Sequence, residues 1–151
     1  MPTDDITALA QILVRRPRDD VFDAFVDPVT MGKFWFTRKD QGMREGETVG
    51  WFVGNSPDAF EIEVRVKSVR RPSSLIVEWG AGDRFTTVSW TLDEVSAGVT
   101  RLRIEERGFI GGHDDAVAQA LDSTGGFNQV IVAMKALLEH GAVINVVADH
   151  V

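Results

Sequence analysis

The stretch FNQVIVAMKALLEHG, residues 127–141, decides how the rest of the chain is read. Its large apolar residues fall at Phe127, Val130, Ile131, Met134, Leu137 and Leu138, and steps of three and four place them on one stripe of a 3.6-period helix. Asn128, Gln129, Lys135, Glu139 and His140 fall off that stripe. Gly141 is placed as the helix stop, with His140 near the negative end of the helix dipole. A helix patterned in this way lies across an apolar surface. Residues 41–107 supply it as strand after strand with period-two alternation, enough for an antiparallel sheet wrapped around one helix.

Upstream of the helix, Asp114-Asp115 marks the start of a short helix bearing Val117 and Leu121. Gly125-Gly126 would cost roughly 2 kcal/mol against alanines inside a helix, so a break or bend is expected between this piece and the principal helix. Downstream, Val143, Ile144, Val146 and Val147 make an apolar tail that should dock.

At the other end, residues 6–14 place Ile6, Ala8, Ala10, Ile12 and Val14 on one face of a first strand, which Pro17 ends. Val21, Phe22 and Phe25 then recur at helical spacing behind Asp19 and Asp20, and Asp27-Pro28 caps a second short helix presenting Met31, Phe34 and Trp35. A short strand is expected near 41–45 and another at 48–53, followed by a turn at 54–58. Residues 59–69 carry the cleanest alternation, with Phe60, Ile62, Val64 and Val66 facing one way and Glu61, Glu63, Arg65 and Lys67 the other. Strands at 75–79, 84–93 and 99–106 follow across short turns, with Val88, Trp90, Leu92, Leu102 and Ile104 inward. Sequential strands with short turns make an antiparallel meander the economical topology.

This order, and three stretches of it, resemble one family. RRPRDDVFDAFVDPVTMGKFW resembles an opening of the form A-P-x-x-x-V-F-x-A-hydrophobic-x-D-P-x-x-hydrophobic-x-x-W-W, matched at Pro17, Val21, Phe22, Ala24, Asp27, Pro28 and Trp35, with Arg16 and Phe36 as departures. SLIVEWG is similar to the family's R-L-V-hydrophobic-x-W strand, and MKALLEHGAVINVVADH to its L-K-x-L-L-E-H-G ending. The chain is thereby identified as a member of the START-related SRPBCC superfamily, in the branch named after the C-terminal domain of the activator of the heat shock protein 90 ATPase. The resemblance spans essentially the whole chain. It implies an α+β helix-grip fold: a curved antiparallel sheet of six or seven strands around a long C-terminal helix, with two short helices after the first strand. It also implies an apolar cavity between sheet and helix.

At 151 residues, 44% hydrophobic and 26% charged, the chain fits one globular domain spanning residues 1–151. A net charge of −7 without basic clusters argues against nucleic acid or an anionic membrane as partner. No secretory leader is expected from MPTDDIT, and the lack of cysteine is compatible with a reducing cytoplasm, the expected location. His113, His140 and His150 include no i,i+4 pair, so neither metal nor cofactor is expected. Ser89 and Ser123 lack a nucleophile-elbow context. The acid pairs Asp19/Asp20, Glu105/Glu106 and Asp114/Asp115 read as solvated charge or caps.

Tryptophans 35, 51, 79 and 90 either fill the core or line a cavity. The leading expectation is a non-catalytic protein that binds a small hydrophobic molecule between sheet and helix. Its candidate lining is Trp35, Phe60, Ile62, Val64, Val77, Trp79, Val88, Trp90, Phe127, Ile131 and Met134, with no catalytic residue assigned. A chaperone-partner protein, taking the family's name literally, is one alternative. A cyclase-like or hydrolase-like enzyme using a buried polar group such as His113 or Asn128 is the other.

Overall fold

A computed structural model describes residues 6–36, 38–39, 43–52 and 58–149. β1 (Ala8–Val14) leads into α1 (Arg18–Val26) and α2 (Pro28–Met31). Then come β2 (Arg38–Lys39), β3 (Thr48–Phe52), β4 (Glu61–Arg70), β5 (Ser74–Ala81), β6 (Arg84–Ser96), β7 (Val99–Arg107) and α3 (His113–His140). Among the described residues the strands form one seven-stranded sheet, in the order β1-β7-β6-β5-β4-β3-β2. Every pairing is antiparallel. The strands from β2 to β7 are a meander, and β1 returns to lie beside β7.

Period-two alternation sets which residues meet the helix. In β7, Thr100, Leu102, Ile104 and Glu106 are buried; in β6 and β5 the buried positions are Val88, Trp90 and Leu92, and Leu75 and Val77. Register aligns them in rows across the sheet, such as Ala10, Ile104, Trp90 and Leu75. The β5–β6 hairpin turns on Gly82 at φ 64 and Asp83, a left-handed start suited to a two-residue turn. At Gly80 a Cβ would stand 1.8 Å from the Arg84 carbonyl oxygen, so no larger residue fits there.

The two short helices form as their sequence signals direct. Asp27 caps α2 by accepting from Thr30 N at 3.2 Å and Thr30 Oγ1 at 2.5 Å, with Pro28 at the first helical position. α1 buries Val21, Phe22, Ala24 and Phe25. Elsewhere the early strands differ from expectation. The short strand lies at Arg38–Lys39, where it pairs with Phe52 and Trp51, while residues 43–45 belong to no strand and 41–42 lie outside the described residues. Of the turn expected at 54–58, residues 54–57 likewise lie outside them. Phe60 precedes β4, whose pairing begins at Glu61 opposite Phe52, so the pleat does not turn it inward and it is 66% exposed.

α3 runs unbroken for 28 residues through Gly125-Gly126, which overturns the expected break. Both glycines are exposed, and each half of the helix is held to the sheet side by its own buried residues, Ala116 and Ala120 before the pair and Phe127 to Met134 after it. Tertiary packing on both sides thus outweighs the local propensity cost. Continuity also fixes the rotation of the first half: the inward stripe extends back to Ala120 and Ala116, and Leu121 is left 69% exposed. Gly141 ends the helix at φ 65, donating to the Leu137 carbonyl at 2.8 Å. Of the tail, Val146 and Val147 pack on the core, whereas Val143 and Ile144 are exposed.

The last turns of α3 also serve the sheet's edge. Lys135 Nζ donates to the Leu13 carbonyl at 2.5 Å, Arg15 N donates to Glu139 Oε2 at 2.9 Å, and Arg16 Nη2 donates to the Glu139 carbonyl at 3.1 Å. Polar groups at the end of β1 are thereby satisfied by the helix. No helix among the described residues is long and apolar enough to cross a membrane.

Candidate functional site

α3 lies most closely against β1 and β7, and the inward side chains of the middle strands are closed over. Val64, Val77, Val88, Trp90, Ile131 and Met134, all expected to line a cavity, are there buried to 2% exposure or less and line neither of the two clefts described below. They are core. Space opens instead beside the middle of α3, where Ser123 and Gly126 present almost no bulk.

The first cleft, of about 260 Å³, lies among Trp35, Trp79, Phe127, Val130 and Val147, with Asp122, Ser123, Gly126 and Gln129 on the remaining wall. Its aromatic side is a connected cluster. Trp79 stacks on Phe127 with centroids 5.8 Å apart and planes at 15°, while Trp35 meets Trp79 edge-on at 5.8 Å and Phe127 at 6.1 Å. Trp35 also contacts Phe25, Phe36, Trp51 and Trp90, so the wall is braced from behind by the core. The second cleft, of about 490 Å³, is lined by Phe60, Ile62, Trp79, Phe109 and Glu106, with Gly80, Ala81, Arg84, Thr86 and Gln119. Trp79, Asp122 and Ser123 belong to both clefts. The indole of Trp79 therefore stands at their common border.

Of the expected lining, then, Trp35, Trp79 and Phe127 meet at the first cleft and Phe60, Ile62 and Trp79 at the second. Gln129, Asp122, Ser123 and Gly126 were not foreseen because a continuous helix through the two glycines was not. The expectation of solvated charge fails at Glu106, which is 4% exposed. Its Oε2 accepts from Trp79 Nε1 at 2.8 Å and from Thr86 Oγ1. Thr86 pairs directly with Trp79 across β5 and β6, which brings both donors to the same carboxylate. The signal was present in the sequence: Glu106 has the parity of Leu102 and Ile104, and that parity faces inward. Glu105, one residue earlier, bonds Arg103 at 2.6 Å and Arg107 at 2.8 Å on the opposite face.

Among the described residues no three His, Cys, Asp or Glu side chains gather closely enough to hold a metal ion. A wall of aromatic rings with a few fixed polar atoms suits the enclosure of an apolar molecule.

Comparison with known proteins agrees with the architecture. The chain is similar to protein SSP2350 from Staphylococcus saprophyticus, a solved structure, with 27% identity, 91% of this chain and 95% of that one covered, and a TM-score of 0.76. It is similar in fold to Aha1 from Colwellia psychrerythraea, solved as a dimer, at 16% identity, 90% and 98% coverage and a TM-score of 0.73. PFC0360w, an HSP90 activator from Plasmodium falciparum, superposes with 15% identity, 88% and 96% coverage and a TM-score of 0.70. No curated protein matches in sequence. The family model described as Activator of Hsp90 ATPase homolog 1-like protein matches residues 15–139, spanning both short helices, β2 to β7, and α3 nearly to its end, and to that family the chain belongs.

Proposed function

We propose that this protein is a non-catalytic binding protein for a small hydrophobic molecule held between the sheet and α3, in the clefts on either side of Trp79. The observation that carries this reading is the ring wall of Trp35, Trp79 and Phe127, which faces open space while the rest of the aromatic cluster is closed. Burying roughly 200 Å² of apolar ligand surface contributes about 5 kcal/mol gross at 25 cal/mol per Å². Lost ligand freedom offsets part of it. Affinity on the order of millimolar follows.

An uncharged apolar probe, 4-hexylanisole, should change tryptophan fluorescence saturably and raise the melting temperature. Trp79→Phe should remove most of the fluorescence change, whereas Trp90→Phe, away from either cleft, should keep it. No saturable change and no thermal shift with the wild type would refute the reading.

Family membership favours a second reading, a partner of a heat shock protein 90 ATPase. ATP hydrolysis by such a chaperone, measured with and without this chain, tests it directly. No stimulation by the chain alone is expected, and a dose-dependent rise abolished by Ile131→Asp would establish the partner role instead.

A further inference from the structure

The second cleft contains a polar group that its surroundings leave incomplete. Glu106 Oε2 is engaged by Trp79 Nε1 and Thr86 Oγ1, whereas Oε1 is buried with no hydrogen-bond partner. Two donors converging on one oxygen fix the carboxylate's rotation, so the other oxygen is held in a set direction. A buried acceptor without a donor is costly, the more so on a group that ionises. Leucine or isoleucine at this inward position of β7, as at Leu102 and Ile104, would avoid that cost. Glu106 lines the cleft wall with Trp79, so a donor that reaches Oε1 on binding supplies what the protein does not.

We propose, building on the ligand-binding reading above, that Glu106 Oε1 is the polar anchor of the site. The ligand is then an apolar molecule with a hydrogen-bond donor, a hydroxyl or an amino group, at the end that enters the second cleft. A ligand ending in a carboxylate is rejected there, because it offers a second acceptor and a like charge to Glu106, and Asp122 in the same wall adds another. Arg84, also in that wall but exposed, is the competing site for such a carboxylate.

Three ligands with the same apolar body separate these chemistries: 4-hexylphenol, 4-hexylanisole and 4-hexylbenzoate, titrated by fluorescence and thermal shift against the full chain. The phenol should bind roughly tenfold or more tightly than its methyl ether, and the benzoate more weakly than either. In Glu106→Gln, Trp79 and Thr86 hold the amide oxygen, the amide nitrogen replaces Oε1, and an acceptor becomes a donor. The phenol preference should then fall to about one-fold. Glu106→Leu should lose the preference while still binding the ether.

Equal binding of phenol and ether by the wild type, or a preference retained in Glu106→Gln, overturns the anchor and leaves the apolar-ligand reading standing. Tightest binding by the benzoate moves the anchor to Arg84 and overturns it too. If none of the three binds, both readings fall. Should Glu106→Leu not fold, the wild-type ratio and Glu106→Gln still decide.

Discussion

Glu139 stands at the last turn of α3 as the carboxylate around which the edge of the sheet is tied. Burial disfavours its charged form, but hydrogen bonds from Arg15 N and Lys135 and the charges of Lys135 and His140 outweigh that and hold its carboxyl below the ordinary value. A folded-state pKa below the unfolded one contributes stability that is present above the unfolded value and lost as pH falls through the folded one. Glu139→Gln should therefore melt below wild type near neutral pH, and the gap should close as pH drops below the ordinary carboxylate range. A gap that is constant from neutral to acid pH would show that the charge is not what matters. Neither this tie nor the Glu106 cluster was legible as a contact, because each joins residues distant in sequence: Arg15 with Glu139, and Trp79 and Thr86 with Glu106. Parity could place Glu106 on the inner face. It could not supply the two donors that make a carboxylate tolerable there.

At the scale of the element, α3 shows how a local rule gives way to a tertiary one. Propensity favours a break at Gly125-Gly126, yet the register of the stripe passes through the pair undisturbed, from Ala116 and Ala120 to Phe127 and beyond. A Cβ built at Gly125 meets nothing within 4 Å, and its φ is not positive. Gly125→Ala should then stabilise the protein by about 0.5–1 kcal/mol through propensity and a less flexible unfolded chain. That corresponds to a rise of roughly 1–4 °C in melting temperature for a chain of this size. A decrease would mean that the helix needs its soft centre. The same reasoning explains what sequence could see of the clefts. Aromatic residues announce themselves, and Trp35, Trp79 and Phe127 were legible as candidates. Empty space is announced by nothing, and it lies where small side chains, Ser123 and Gly126, sit opposite large ones.

For the molecule as a whole, alternation in the strands and the 127–138 stripe carried the architecture, because each pattern is meaningful only if the other exists to cover it. The core that results is a single cluster running from α1 through the sheet to α3. Met134 is fully buried within it. Met134→Lys would set an unpaired charge there at a cost of several kcal/mol against a total stability of roughly 5–15. Loss of the cooperative thermal transition is expected, and wild-type-like melting would show that α3 does not cover the sheet. The pairing of β1 with β7 has its own consequence for how the protein is made. Val14 is opposite Thr100, so β1, which leaves the ribosome before the other strands of this sheet, has no strand to pair with until β7 follows. At roughly 5–20 residues per second that interval lasts several seconds. The edge partners Lys135 and Glu139 arrive later still. During synthesis β1 is therefore an unmated strand, and its seating between β7 and the end of α3 closes the fold.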